Sequence, residues 1–276
     1  MAQAIFRSWF IDFDPVKAKI AAIEQGEDPL RASMRAVSGK TDAELDQMPC
    51  AQLDQLAATA ALFPDAMEQS EMGEVPLGWE VVPASTLIEF NPKEPLRKGT
   101  VAPYLDMASL PTSGSWGEPP VPREFGSGMR FRNGDALLAR ITPCLENGKS
   151  AFVQNLPDES VGWGSTEFIV MRSREPVPQE YAYLLARHAA FREHAIRSMT
   201  GTSGRQRAQA DSVAEFKVIS PPGGSVWCAF SELIDSFFKA IKSQSEAGET
   251  LKELRDVLLP KLLSGDLSVA NLESMG

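Results

Sequence analysis

The sequence predicts an α+β domain of mixed strands and helix, flanked by long helices, and three observations predict it. Residues 76–222 are punctuated by Gly and Pro and carry short apolar runs of strand type. Near the C-terminus, Phe230, Ile234, Phe237, Ile241, Leu251, Leu254, Leu258 and Leu262 recur mostly at steps of three and four, the period of a helix burying one seam against another helix. At the other end, Ile5, Phe6, Trp9, Phe10 and Phe13 fall within nine positions before Asp14-Pro15, a turn or helix-stop signal.

Taken in order, residues 1–20 read as the end of a helix that began before them. Residues 21–75 read as an acidic helical connector, patterned in TDAELDQM and CAQLDQLAATAAL, with Thr41 and Glu44 spaced as a capping box. Residues 76–222 hold strand signals at 79–83, 135–141, 151–153, 167–171 and 216–219. An Ala-, Leu- and Arg-rich helix is expected over about 180–199, then a loop from Gly201 to Gly204. Residues 223–263 read as a spacer helix, with 226–259 continuous. At 1.5 Å per residue that helix is roughly 50 Å long. Pro260 is expected to kink or end it near Leu259, Gly265 breaks the chain, and 264–276 form a tail.

With 43% hydrophobic and 23% charged residues, composition is that of an ordinary globular protein. No apolar run reaches the roughly 18–20 residues of a membrane span, and no secretory leader pattern opens the chain, so a cytoplasmic location is expected. Cys50, Cys144 and Cys228 are widely spaced and read as free thiols packed for structure. The net charge of −10 sits on the flanks: residues 1–78 carry −7, residues 79–222 balance at zero and residues 223–276 carry −3. Within 187–217, Arg187, Arg192, Arg197, Arg205, Arg207 and Lys217 outnumber Glu193, Asp211 and Glu215. Such a patch suits phosphate contact, since only charges within about 10 Å matter at 0.1 M salt; the plainer reading is solvated arginines on a helix face.

Four strings then carry a resemblance: residues 1–19, Pro76-Leu77-Gly78-Trp79-Glu80, MTGTSGRQRAQADSVAEFKVISPP at 199–222, and LRDVLLPKLLSGDL at 254–267. In this order they resemble the conserved regions of the DNA-specificity subunit of type I restriction-modification enzymes. Family members carry two recognition domains, whereas one entrance string and one exit string occur here, so the chain looks like half a subunit beginning inside the central conserved helix. The resemblance implies a target recognition domain whose flanking long helices form an antiparallel coiled-coil spacer. It also implies that the chain reads one half of a gapped double-stranded DNA target and docks an adenine methyltransferase subunit and a restriction subunit. Catalysis and S-adenosylmethionine would belong to the methyltransferase, with no cofactor or metal in this chain. A missing second domain would come from a homodimer or from a second specificity half-subunit, and the C-terminal seam of one copy is expected to join Phe6, Trp9 and Phe10 of another or its own equivalent there. The rival readings are a non-DNA protein-interaction scaffold and a degenerate, non-functional fragment.

Catalytic patterns are poor. Ser220-Pro221-Pro222 resembles the start of an amino-methyltransferase motif, but Gly223 stands where an aromatic is needed to stack the base. Asn147-Gly148-Lys149-Ser150 lacks the upstream glycine of a phosphate-binding loop, because position 143 is proline, and reads as a hairpin turn. His188 and His194, six apart on the predicted helix, point about 240° apart and cannot share a metal. For DNA, Thr200, Gly201, Thr202, Ser203, Gly204, Arg205, Gln206 and Arg207 suit phosphate contact by small hydroxyl and backbone donors. Lys149 is a second phosphate candidate. The polar stretch 109–133, with Trp116, Arg123, Arg130 and Arg132, is the expected base-reading element; its plainer reading is an ordinary surface loop.

Overall fold

A computed structural model describes residues 1–157, 160–202 and 206–264. Of the expected DNA contacts, Ser203, Gly204 and Arg205 lie outside the described residues, as do Gly265 and all of the tail from 265 onward. The fold is α+β, as expected, and divides into two units, Met1–Asp235 and a second that begins at Ser236.

Five helices open the first unit: α1 (Ala2–Phe10), α2 (Asp14–Gln25), α3 (Pro29–Ser38), α4 (Asp42–Asp46) and α5 (Cys50–Ala61). Their ends follow from local chemistry. Asp28 accepts the Leu30 and Arg31 amides at the start of α3, and Gly26 and Gly39 close α2 and α3 in the left-handed conformation. The expected capping box is present at α4, where Thr41 and Glu44 exchange hydrogen bonds. The acidic connector is therefore helical, and it folds back on itself: α3 and α5 share a small core of Met34, Leu45 and Ala60. Lys19, buried on α2, donates to the Phe63 carbonyl at 2.5 Å and so ties α2 to the end of α5.

The recognition region follows as β1 (Met67–Ser70), β2 (Gly73–Pro76), β3 (Glu80–Pro83), α6 (Ala84–Leu87), β4 (Ile88–Phe90), β5 (Val101–Leu105), β6 (Val121–Glu124), β7 (Met129–Phe131), β8 (Ala136–Ala139), β9 (Ser150–Phe152), β10 (Gly162–Gly164), β11 (Phe168–Ser173), α7 (Gln179–Arg187), α8 (Ala189–Arg197), α9 (Ala210–Ala214) and β12 (Lys217–Ser220). Two four-stranded sheets, ordered β6-β5-β10-β7 and β4-β11-β8-β9, enclose a core of Leu105, Phe131, Leu137, Val153, Phe168 and Val170. The hairpin β1-β2 and the antiparallel pair β12-β3 stand apart; the latter joins the entrance of the region to its exit, with Val218 opposite Val82. The helix predicted over 180–199 is two helices, because His188 is extended between α7 and α8.

The last helix, α10 (Ser225–Ser264), contributes its first turns to the first unit. Two expectations are corrected here, the first in part. Of the two outcomes expected at Pro260, a kink or an end, the helix does not end near Leu259 but carries Pro260 within it as far as Ser264. Proline forfeits one backbone bond and crowds the preceding turn, and a continuing helix tolerates that at a cost of about 3 kcal/mol. The second correction concerns the partner seam: Phe6, Trp9, Phe10, Phe230 and Ile234 are buried in this chain's own core rather than offered to another copy. Phe10 stacks on Trp227 at 4.8 Å and meets Phe230 edge-on at 4.9 Å, Trp9 meets Phe63 at 4.9 Å, and Phe6 meets Tyr181 at 5.5 Å. Trp79, from the expected entrance string, lies 6.1 Å from Phe10. The N-terminal helix is thus a wedge between α5, α7 and the start of α10; truncating a buried aromatic of this kind typically costs about 3–5 kcal/mol. No described helix is long and apolar enough to cross a membrane.

Candidate nucleic-acid interface

Alternation along β6-β5-β10-β7 sends Phe131 and Leu105 to the core and the intervening side chains to the opposite face. Trp163 stands opposite both Tyr104 and Arg130, and Tyr104 stands opposite Val121, two residues before Arg123. That face therefore groups Arg123, Tyr104, Trp163 and Arg130, with the Trp163 ring itself buried at 5% exposure beneath its neighbours. The Arg123 guanidinium lies 4.6 Å from the Tyr104 ring centre and 5.8 Å from that of Trp163, a cation–π pairing that holds a charged side chain flat on the sheet. Phe125 meets Trp163 edge-on at 5.3 Å, and Leu96 packs beside them. Arg130 makes no side-chain hydrogen bond or ion pair with another described residue and is half-buried on this face. Trp163 and Phe125 pack this face, while exposed Arg123 and half-buried Arg130 are the groups on it that suit contact with a polyanion.

Arg132 follows on the same edge, held by a network. Its Nε and Nη2 bond one oxygen of Glu94 at 2.7 and 2.6 Å. The other Glu94 oxygen accepts Nη1 of Arg172 at 2.7 Å, and Arg172 Nε and Nη2 grip both oxygens of Asp135 at 2.7 Å. Glu94 is 4% and Asp135 1% exposed, whereas Arg132 keeps 45%. Burial pushes the Asp135 carboxyl above its ordinary value and the Arg172 pair pulls it back; the two-pronged geometry favours the ionised pair, and Arg172 is held still more firmly protonated by it.

The exit loop lies against another set of residues. Thr200 and Arg207 exchange backbone hydrogen bonds at 3.1 and 2.9 Å, Thr142 donates to the Gln206 carbonyl, and Ala208 donates to that of Arg140. Thr200, Gly201 and Thr202 are exposed, as phosphate contacts would need. Arg207, however, closes a two-pronged pair with Glu167 at 2.7–2.9 Å, so its charge is already answered within the fold. Nearby, Arg140 Nε and Thr142 Oγ1 are buried without a hydrogen-bond partner among the described residues.

The stretch 109–133 does not act as one loop. Its first part is pinned to α7 and β9: Arg187 donates to the carbonyls of Thr112 and Gly148, Tyr183 to that of Gly114 at 2.5 Å, and the Phe152 amide to Ser115. Trp116, half-buried, belongs to this part. Burial pushes the Tyr183 hydroxyl up to about 12, with Arg187 opposing. Lys149, in the predicted turn, donates to the Met107 carbonyl at 2.8 Å instead of standing free. A side chain at Gly148 would come within 2.6 Å of Arg192 Nη1, so this turn places its backbone beside two arginines. The sequence alone does not mark Glu94, Tyr104, Asp135, Trp163 or Arg172 as site residues; the signal nearest to them is the Arg-Phe-Arg run at 130–132 with an acid at 135, just before β8. Among the described residues no group of three His, Cys, Asp or Glu side chains could hold a metal ion.

No family model matches the chain. Against curated proteins it is 26% identical to the "Type I restriction enzyme HindI specificity subunit" of Haemophilus influenzae over 97% of its own length and 61% of that protein's. The chain is similar to type I restriction specificity subunits. It is also 30% identical to the EcoAI specificity subunit of Escherichia coli over 52% of this chain and 26% of that protein. The chain thus spans 61% and 26% of these two proteins' lengths, in each case less than two thirds. Among solved structures it is similar to the HsdS subunit from Thermoanaerobacter tengcongensis (17% identity, 91% of this chain and 57% of that one, TM-score 0.42). It is likewise similar to the type I S subunit from M. genitalium (15%, 68% and 46%, TM-score 0.45).

Proposed function

We propose that this chain is a sequence-specific DNA-binding specificity subunit of a type I restriction-modification system, reading one half of a gapped target. It would dock adenine methyltransferase and restriction subunits and leave the chemistry, with S-adenosylmethionine, to the methyltransferase. The observation that carries the reading is the similarity to a specificity subunit along 97% of the chain. The basic and aromatic face of β6-β5-β10-β7 supports it chemically. Docking is supported by α10, where Leu251, Leu254, Leu258 and Leu262 remain 66%, 51%, 40% and 38% exposed. An apolar stripe of that extent favours burial against another helix. A second copy of the chain or a second half-subunit would supply the other half-site.

The test is adenine-methylation mapping in cells expressing this chain with a type I methyltransferase subunit, against cells expressing the methyltransferase alone. A gapped palindrome that requires this chain would support the reading with a homodimer, and an asymmetric gapped motif would support it with a second specificity chain. No new methylation, with both proteins present in soluble form, would overturn it in favour of a scaffold or a non-functional fragment.

A further inference from the structure

We infer that Arg132 reads a guanine through the end-on edge of its guanidinium, with Glu94 as its positioning residue; this rests on the proposed function. A guanidinium offers two usable edges. The side edge, Nε with Nη2, is taken by Glu94. The end edge, Nη1 with the second Nη2 hydrogen, has no described partner, and it carries two parallel donors matched to the O6 and N7 acceptors of guanine in the major groove. Arg172 provides the internal contrast: all three of its nitrogens bond Asp135 and Glu94, so its role is to fix those carboxylates. The backbone is fixed as well. The Arg132 amide donates to Asp135 at 2.8 Å, and Asn133 exchanges bonds with the backbone of Leu156 at 3.0 and 3.1 Å.

Electrostatics separates this role from phosphate binding. Glu94 and Asp135 answer Arg132 and Arg172 charge for charge, so Arg132 adds little to the attraction for a polyanion and its value lies in oriented donors. Arg130, with no such partner, is the residue on this edge suited to a phosphate.

The test uses the full-length chain in selection from randomised duplexes, followed by affinity measurements on the enriched site at several salt concentrations. Arg132→Ala should cut the preference for guanine at one position about 5- to 150-fold while leaving the salt slope unchanged. Arg132→Lys, which keeps the charge but lacks the paired donors, should lose that preference equally. Replacing that guanine by 7-deazaguanine should weaken the parent chain and not the Ala variant. Glu94→Gln should relax the same position and no other, with thermal melting followed in parallel to confirm folding. Retained guanine preference in Arg132→Ala, or its rescue by Lys with a slope change of about one, would overturn the inference while the proposed function stands. A parent chain that enriches no motif would overturn both.

Discussion

His188 interrupts the helix predicted through it, and its surroundings show how one side chain can couple folding to pH. The residue adopts φ −70° and ψ 132° between α7 and α8, its ring lies 6.1 Å from Phe6, and its Nδ1 is buried without a partner among the described residues. Burial, with Arg7 adding to it, lowers its pKa from 6.5, while Asp12 and Glu193 oppose. The unfolded chain therefore takes up the proton first. Stability attributable to this group is complete above about pH 6.5 and is lost as pH falls from there through the lowered native value. Urea melts between pH 7.5 and 5 should show a flatter pH dependence for His188→Gln than for the parent; identical slopes would assign the titration elsewhere. The capping box at Thr41 was legible from spacing alone, because both partners lie within one turn. The pairing of Arg207 with Glu167 was not, because the two are separated by forty positions.

At the scale of elements, the longest buried strands that the sequence announced are the ones rich in apolar residues. Ala136–Ala139 and Phe168–Ser173 are rich in apolar residues and nearly solid inside, and both were expected. The sheet that carries the basic and aromatic face was missed almost entirely. Its strands are three to five residues long, β5 and β6 contain Pro103 and Pro122, and β10 is Gly-Trp-Gly, all features that argue locally against a strand. Tertiary crowding selects them instead. A Cβ on Gly164 would lie 2.3 Å from the Leu105 carbonyl oxygen and 2.6 Å from the Phe168 ring, so only glycine lets β10 approach β5 this closely. Gly164→Ala should destabilise the chain by about 1–3 kcal/mol in denaturant melts, as overpacking does. A change below a few tenths would mean that the sheet yields.

For the molecule as a whole, apolar surface is allotted in two ways. The aromatic residues of α1 and of the first turns of α10 close a core within one chain. Further along α10, Leu254, Val257, Leu258 and Leu263 stay 40% or more exposed. Replacing exposed residues should alter stability by no more than about 0.5 kcal/mol. The double change Leu254→Asp with Leu258→Asp should therefore leave the melting of the recognition region intact while abolishing self-association or co-purification with a methyltransferase subunit. Loss of both together, or of neither, would remove the stripe from the docking surface.

By itself the sequence determined what short-range spacing can encode: most of the helical regions and the capping box at Thr41, the apolar-rich strands, the α+β class, and the resemblance that led to a specificity-subunit reading. Tertiary structure decided which groups face each other. Glu94 and Arg132 are 38 positions apart, Asp135 and Arg172 are 37, and Phe10 meets Trp227 across nearly the length of the chain. An arginine in a sequence is equally a phosphate contact, a base reader or half of an ion pair, since its donors are the same in each. Only the position of a carboxylate supplied by a distant segment, Glu94 between β4 and β5, settles which edge of the guanidinium is left to face a ligand.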